Sequence, residues 1–211
     1  MLPKSVTFWI DASAEKDLRI NRVSLEKILA RVMQIYREEN HLPFVGYNLK
    51  NLKRRAWKRG KIKERYVRSD HDLWQYYVRA SLMKEIERGC KLKKIQTSSN
   101  VNFFLSGELI LGNGLTRMPR HPRGNGVVLI GTRNGGVSKN PFARLSYNLR
   151  LALVMIHEQT HLFGLRHVDD SGSIMYEETN SNRQFDEDSR LKLFAAMRRW
   201  SKKIDKADVV A

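Results

Sequence analysis

Three histidines, one glutamate and one glycine occupy fixed positions in the eleven residues His157 to His167, which read H-E-x-x-H-x-x-G-x-x-H. His157 and His161 are four residues apart, so on a helix both imidazoles project from one face about one turn apart. Two such imidazoles can bind one tetrahedral metal ion. Gly164 can adopt a positive φ, which ends the helix and lets the chain return His167 to the same metal. The run therefore predicts a helix, a sharp turn and a three-histidine metal centre.

Glu158 gives this pattern a catalytic interpretation. It lies beside the first histidine, close to the metal but not needed as a ligand, and there it can take a proton from a metal-activated water. Three neutral imidazoles leave a fourth position open for water, as in catalytic zinc sites. The five fixed positions arise by chance in roughly one chain in ten thousand of this length. The sequence predicts a zinc-dependent endopeptidase with one catalytic Zn²⁺ on His157, His161 and His167 and with Glu158 as general base.

The long histidine pattern and the Ser173-Ile174-Met175-Tyr176 segment that follows it resemble the metzincin clan of metallopeptidases. The segment is similar to the clan's Met-turn, and the resemblance implies that Met175 packs as an apolar floor beneath the metal. A likeness to matrixins extends over the whole layout and includes a G-x-x-x-x-P stretch at 114–119. It implies an extended polypeptide substrate paired with an edge strand and a pocket wall after Met175. The cleft residues implied are Leu115, Thr116, Arg117, Met118 and Tyr176.

Some positions depart from the metzincin pattern. Val168, which follows the third histidine, matches no subfamily marker. No aspartate occurs between Asp72 and Asp169, so we expect no calcium site of the matrixin kind. The single cysteine, Cys90, is not in the context of a cysteine-switch pro-segment, and archaemetzincins have further cysteines after the third histidine that are missing here. The resemblance therefore leaves the subfamily open.

Apolar periodicity on either side of the motif predicts alternating strands and helices. β-branched and aromatic runs predict strands at Val6–Asp11, Phe44–Leu49, Val101–Leu105, Leu115–Met118 and Val127–Gly131. Helical spacing predicts a helix capped by Ser24, one from Leu145 into the histidines, and a last one capped by Asp186. The apolar face expected of the last helix is Leu193, Phe194, Met197, Trp200 and Ile204. This order predicts an α/β (α+β) layered domain. The resemblance implies a twisted, mostly parallel sheet with an antiparallel edge strand, a backing helix, an active-site helix, a Met-turn and a C-terminal helix.

A basic segment follows the second predicted strand. The chain has a net charge of +17, and residues 50–68 contain ten Lys or Arg against Glu64 alone. We interpret residues 1–211 as one metallopeptidase domain with a basic insertion at about 50–95. Nucleic acid, an acidic protein surface or anionic lipid would fit such a segment. The candidate polyanion-binding residues are Lys53, Arg54, Arg55, Lys58, Arg59, Lys61 and Lys63.

This charge leaves two further interpretations open. In the first, the chain is a nucleic-acid- or polyanion-associated protein, with proteolysis restricted to bound partners or absent. In the second, it is a toxin or effector protease whose charge brings it to a target surface. Salt-dependent binding that is lost when Arg54, Arg55, Lys58 and Arg59 are neutralised would distinguish the first from a plain peptidase.

Targeting features are few. One cysteine excludes an internal disulfide and a cysteine-based metal cluster. No apolar run approaches the roughly eighteen residues that span a bilayer, and Met1 to Asp11 fit a first strand rather than a signal peptide. The sequence predicts a soluble, intracellular protein, with export by another route left open. It does not determine the oligomeric state.

Overall fold

The computed structural model describes residues 6–44, 47, 52–58, 71–89, 101–117, 126–134, 142, 145–178 and 180–207, with side chains left out for 71–74, 89 and 200–207. The strands in this part of the chain are β1 (Val6–Ile10), β2 (Lys53–Ala56), β3 (Val101–Ile110), β4 (Gly114–Arg117) and β5 (Gly126–Arg133). The α-helices are α1 (Ala12–Ile20), α2 (Leu25–Gln34), α3 (His71–Gly89), α4 (Tyr147–Leu162) and α5 (Glu187–Ala207), and a π-helical turn, Ile35–Glu39, extends α2.

The five strands form one sheet in the order β2-β1-β3-β5-β4. Strands β2, β1, β3 and β5 are parallel, whereas β4 pairs antiparallel with β5. Three parallel strands are aligned at one end, where Val6 is opposite Val101 and Val101 is opposite Gly126. The predicted fold class, a mostly parallel sheet with an antiparallel edge strand, is confirmed.

Helices cover both faces of the sheet. Successive side chains of a strand point to opposite faces, and the central strands have apolar residues on both. On one face Phe103 and Ile130 pack with α1, α2 and α4 in the larger core. On the other face Phe104 and Leu129 pack with Leu82 and its neighbours on α3 in a smaller core. The result is a three-layer arrangement in which α4, with most of its residues buried, lies directly behind the sheet.

Helix boundaries agree with the expected caps. The Ser24 hydroxyl accepts a hydrogen bond from the Lys27 N–H and begins α2. Asp186 accepts from the Ser189 N–H at 2.9 Å and begins α5. On α5, Leu193 and Met197 are fully buried, but Phe194 is 39% exposed. The prediction for Phe194 was therefore wrong, because it lies one position away from the buried stripe of the helix.

Two elements were not predicted from the sequence. Helix α1 is short, and its cap is the Asp11 carboxylate, which accepts from the Ala14 N–H at 2.7 Å. Strand β2 reads Lys-Arg-Arg-Ala, which opposes the usual β-branched and aromatic composition of strands. Its position explains this, because β2 is an edge strand and its side chains are exposed.

The predicted strand at Phe44–Leu49 is wrong at the positions that the structure describes. Phe44 and Tyr47 are buried but belong to no strand. The Phe44 ring packs on that of Tyr36, with the two centroids 4.7 Å apart, and the Tyr47 ring meets Phe44 edge to face. Aromatic burial against α2, not sheet pairing, accounts for the apolar pattern.

The segment at about 50–95 contributes to the layers of the fold. Strand β2 belongs to the central sheet, and α3 covers the sheet's second face. Arg59, Lys61, Lys63, Cys90 and Met118 lie outside the described residues. The boundaries of the basic insertion remain a prediction. No helix among the described residues has the length and apolar character to cross a membrane.

Asn40 connects the π-helical turn to the chain before α5. Its side chain is 1% exposed. The amide nitrogen donates to the carbonyls of Ile35 at 2.9 Å and Arg183 at 2.7 Å, and the amide oxygen accepts from the Phe185 N–H at 2.9 Å. These bonds hold the segment that follows the cleft against the backing helix.

We expect Asn40→Ala to lower the free energy of unfolding by about 2–4 kcal/mol, because the buried Phe185 N–H loses its partner. Urea unfolding measures the change. The control is Gln34→Ala at an exposed position of α2, for which we expect about 0.5 kcal/mol or less. Equal losses for the two variants would contradict the assigned role of Asn40.

Candidate metal centre

Helix α4 presents the histidine motif at its C-terminal end. The helix begins after Ser146, whose hydroxyl accepts from the Leu149 N–H, and its long apolar stretch is almost entirely buried. After Leu162 the chain turns through Gly164, whose φ is 93°. An L-residue with a side chain rarely adopts that conformation, so glycine permits the turn. The chain then returns to bring His167 beside the helix.

The three imidazoles converge on one point. Nε2 of His167 lies 3.1 Å from Nε2 of His157 and 3.2 Å from Nε2 of His161. Nδ1 of His157 is 2.8 Å from the Ile174 carbonyl oxygen, and Nδ1 of His161 is 2.8 Å from the Leu165 carbonyl oxygen. A carbonyl accepts only, so both Nδ1 atoms bear the proton and both Nε2 atoms present lone pairs. Nε2 lone pairs that point to a common position can bind one metal ion between them.

The spacing and charge of these rings fit zinc. Imidazole nitrogens that bind one tetrahedral Zn²⁺ at about 2.0–2.1 Å are separated by roughly 3.3 Å, close to the measured separations. Burial, with a smaller contribution from the two neighbouring histidines, lowers the pKa of His157 to about 4, against the opposing effect of the hydrogen bond to the Ile174 carbonyl. Burial also lowers the pKa of His161. Both rings are therefore neutral near pH 7, as metal ligands must be.

Glu158 is packed between α4 and β4. Its side chain is 8% exposed, and its Oε2 atom is 2.5 Å from the Thr116 hydroxyl oxygen, which also lies 2.8 Å from the Glu158 carbonyl oxygen. A Cβ atom at Gly114 would lie 2.3 Å from Glu158 Oε1, so only glycine leaves room there. Burial raises the pKa of Glu158 to about 7, although the Thr116 hydrogen bond and the charge of Arg79 lower it. The carboxyl group can thus exchange a proton near neutral pH.

A cleft of about 1010 Å³ runs across the three histidines. Strand β4 forms one wall, and the chain from Leu165 to Asn182 contributes the other. Of the predicted cleft residues, Leu115 and Thr116 line it. Arg117 does not, because it points to α3 and its Nε is 2.9 Å from Glu87 Oε1. Tyr176 is also absent from the lining, while the adjacent Glu177 and Glu178 are present.

Met175 is completely buried next to this centre. Its carbonyl accepts from the Val168 N–H at 3.0 Å, and its own N–H donates to the Ser173 hydroxyl at 3.1 Å. The preceding carbonyl, that of Ile174, contacts His157. The segment is thus fixed against the histidines by backbone bonds.

Sequence patterns did not reveal four features of the site. The carbonyls of Ile174 and Leu165 act through the backbone and have no residue signature. Arg79 reaches the cleft from α3, far from the motif in sequence. The contact between Thr116 and Glu158 has a weak signal, since Gly114 and Thr116 are two apart and share one face of a strand.

Asp186 links the Met175 segment to α5. Its Oδ2 accepts from the Ser173 hydroxyl at 2.8 Å while Oδ1 caps the helix. Partial burial raises its pKa, but the hydrogen bonds from Ser189 and Ser173 outweigh it and hold the pKa below the ordinary value of 3.8. The carboxylate thus stabilises the fold at pH values above its ordinary pKa of 3.8. That stabilisation is lost as the pH falls through its lower pKa in the folded state.

We expect wild type to be more stable than Asp186→Asn near pH 6, with the difference shrinking as the pH falls below the ordinary value of 3.8 and the carboxylate is protonated. Urea unfolding of both proteins across this range measures it. Asp188→Asn, on the exposed first turn of α5, is the charge-matched control. A difference that stays constant with pH would contradict the assignment.

The candidate polyanion-binding residues lie elsewhere. Lys53, Arg54, Arg55 and Lys58 are exposed on or just after β2. The Arg54 guanidinium pairs with Glu15, and that of Arg55 lies 5.2 Å from the centroid of the Trp9 ring. Strands β2 and β4 are at opposite edges of the sheet, about 19 Å apart at the usual strand spacing. The structure therefore separates the basic edge from the histidine cleft.

Comparison with known proteins gives one family. The model of the peptidase family described as Matrixin matches residues 53–193. That range extends from β2 into α5 and includes the three histidines and Glu158. No curated protein matches the chain.

Several solved structures are similar over most of the chain. A zinc-dependent peptidase from Methanocorpusculum labreanum is 15% identical, with 89% of this chain and 99% of that chain covered and a TM-score of 0.43. Archaemetzincin from Methanopyrus kandleri is 14% identical, with 93% and 97% covered and a TM-score of 0.49. Metalloproteinase-II from Bacteroides fragilis is 15% identical, with 92% and 53% covered and a TM-score of 0.44.

Proposed function

The chain belongs to the matrixin family of peptidases, and on that premise we propose that it is a zinc-dependent endopeptidase of the metzincin type. A single Zn²⁺ is held by His157, His161 and His167, and no calcium is required. The observation that supports this most strongly is the convergence of the three Nε2 atoms, two of them with their Nδ1 protons held by backbone carbonyls.

Zinc bound at this position supplies a Lewis acid that polarises the scissile carbonyl and makes an attacking water more acidic. Glu158 then acts as the general base: its carboxylate accepts the proton of the water and delivers it to the leaving amine. The Thr116 hydroxyl holds Oε2 of that carboxylate, and Gly114 leaves space for Oε1. The carbonyls of Ile174 and Leu165 keep two imidazoles in the tautomer that binds metal. Met175 forms the buried floor beside them.

The side of β4 that faces away from β5 pairs with no other described strand, and it is the proposed substrate-binding edge. Gly131 N–H donates to the Asn113 carbonyl at 2.9 Å, so Asn113 faces β5 in the antiparallel ladder. Backbone groups of successive residues alternate in such a ladder, and those of Gly114 and Thr116 therefore point away from β5. An extended peptide can pair with them as an added strand. Leu115 also lines the cleft, but its own N–H and C=O face β5 and its side chain packs towards the α3 core.

Cleavage of a denatured protein by the zinc-loaded chain tests this function. We expect new fragments that disappear when a chelator removes the metal and reappear when zinc is restored. Magnesium or calcium in place of zinc should not restore cleavage, because both cations prefer oxygen ligands. Fragments that persist unchanged in chelator would contradict a zinc mechanism.

Polyanion binding at the basic edge is a second candidate function. It is favoured by the exposure of Lys53, Arg54 and Arg55 along one edge strand, away from the cleft. We expect binding to DNA or RNA that weakens with salt, with a log–log slope that falls by about 0.7–0.9 for each phosphate contact removed. The residues to neutralise are Lys53, Arg54 and Arg55, each changed to glutamine.

The matched control for the basic edge removes three exposed cations from α5, namely Lys192, Arg198 and Arg199. If both triple variants lose affinity equally, the attraction comes from net charge and the basic edge is not a specific binding surface. Loss confined to the β2 variant would support the second function without bearing on the first.

A further inference from the structure

Helix α3 places the positively charged side chain of Arg79 at the histidine cleft. Arg79 is half-buried on α3 and lines the cleft. Its Nη1 atom lies 3.4 Å from the Gly114 carbonyl oxygen, and its guanidinium carbon lies 5.9 Å from the centroid of the Tyr76 ring. The guanidinium is therefore anchored between α3 and the first residue of β4.

Among the described residues, the Arg79 guanidinium uses little of its hydrogen-bonding capacity. Arg79 has five N–H donors and makes one long hydrogen bond, with no carboxylate oxygen within 4.0 Å among the described residues. Arg117, which lies nearby on β4, is different because it pairs with Glu87. A half-buried arginine with free donors on a concave surface is suited to bind a carboxylate in a charge-assisted, two-point contact.

Arg79 lies close to the position that the cleaved bond would occupy. Gly114 directs its carbonyl to the free edge of β4, where an added peptide strand would run. The other side of Gly114 is in contact with Glu158. Gly114 thus lies between the Arg79 guanidinium and Glu158, the proposed general base. Since a strand rises about 3.3 Å per residue, a carboxylate bound to Arg79 belongs to a substrate residue near the cleaved bond.

We propose that Arg79 forms a subsite for a substrate carboxylate, so that the enzyme prefers peptides with an acidic group close to the cleaved bond. The proposal rests on the proposed peptidase function and names its substrate class. The carboxylate can be an Asp or Glu side chain or the C-terminus of a short peptide, since the guanidinium recognises the same group in each. A purely structural role, in which Arg79 only holds Gly114, predicts no such preference.

The test compares matched peptides. One peptide that the enzyme cleaves is remade with Glu or Gln at each of the three positions on either side of the cleaved bond, and with a free or amidated C-terminus. We expect kcat/KM to be about tenfold to a hundredfold higher for the acid at one position. A preference for Glu over Gln identifies a side-chain carboxylate, and a preference for the free over the amidated end identifies the C-terminus.

Two variants assign this preference to Arg79. Arg79→Gln should bring the ratio of the two kcat/KM values close to one, and Arg79→Lys should retain part of it, since lysine keeps the charge but not the planar fork. Arg88→Gln, at an exposed position on the same helix, should keep the ratio of the wild type. Equal cleavage of acid and amide peptides by wild type, or a preference that survives Arg79→Gln, would overturn the proposal.

Equilibrium binding separates this proposal from the proposed function. Zinc-loaded Glu158→Gln is titrated with the acid and amide peptides, with and without Arg79→Gln. Acid-selective binding that depends on Arg79, together with no cleavage by wild type, would support the subsite and contradict the peptidase. Cleavage by wild type without acid selectivity in either assay would support the peptidase and contradict the subsite.

Discussion

Replacement of Glu158 by glutamine is expected to reduce kcat by roughly a thousandfold or more while the chain still binds zinc. The amide has nearly the same shape as the carboxylate, so it can keep the bond from the Thr116 hydroxyl, but it cannot accept the proton of the attacking water. General acid–base groups of this kind contribute about a hundredfold to ten-thousandfold. The three imidazoles do not depend on Glu158 for their hydrogen bonds.

Steady-state kinetics on one cleaved peptide, with zinc content measured in the same sample, tests the Glu158 prediction. Glu178→Gln is the matched control, because it removes one carboxylate from the same cleft at an exposed position. We expect the control to stay within a few-fold of wild type. A Glu158→Gln variant with wild-type kcat would show that the proton is accepted elsewhere.

The second large effect is expected from His167→Ala. Two histidines on α4 remain, so we expect zinc affinity to fall at least about a hundredfold and turnover to be lost at limiting zinc. The His167 side chain is exposed, so the metal-free variant should unfold with nearly the same free energy as the metal-free wild type. Zinc should stabilise wild type by about 2.7 kcal/mol at a hundredfold excess over its Kd, but not the variant at that concentration.

Competition with a fluorescent chelator measures the affinity, and thermal unfolding with and without zinc measures the stabilisation. His41→Asn is the control for loss of a histidine. His41 is exposed, has a φ of 52°, and lies outside the cleft, and asparagine tolerates that conformation well. Loss of zinc affinity in His41→Asn, or its retention in His167→Ala, would contradict the assigned ligands.

Local sequence was most informative where one short stretch determines its own geometry. The spacing of His157, His161 and Gly164 predicted a helix followed by a left-handed turn, and both are present. The caps at Ser24 and Asp186 were predictable for the same reason, since each side chain bonds to a backbone N–H three residues away.

Features that depend on distant parts of the chain were not predictable. Strand β2 has a charged composition that only its place at a sheet edge explains. Phe44 and Tyr47 have a strand-like pattern because Phe44 packs on Tyr36 and Tyr47 packs on Phe44. The position of Arg79 beside Gly114 follows from the packing of α3 on the sheet, and no motif near either residue indicates it. In each case a long-range contact overrides the local signal.

The central claim is that Glu158 and a zinc ion on three histidines hydrolyse peptide bonds. Its most direct test incubates wild type and Glu158→Gln, each with one zinc per chain, with the same denatured protein mixture, and identifies new amino termini by mass spectrometry. We predict new termini with wild type and almost none with the variant. New termini at equal rates with both proteins, or none with zinc-loaded wild type, would contradict the claim.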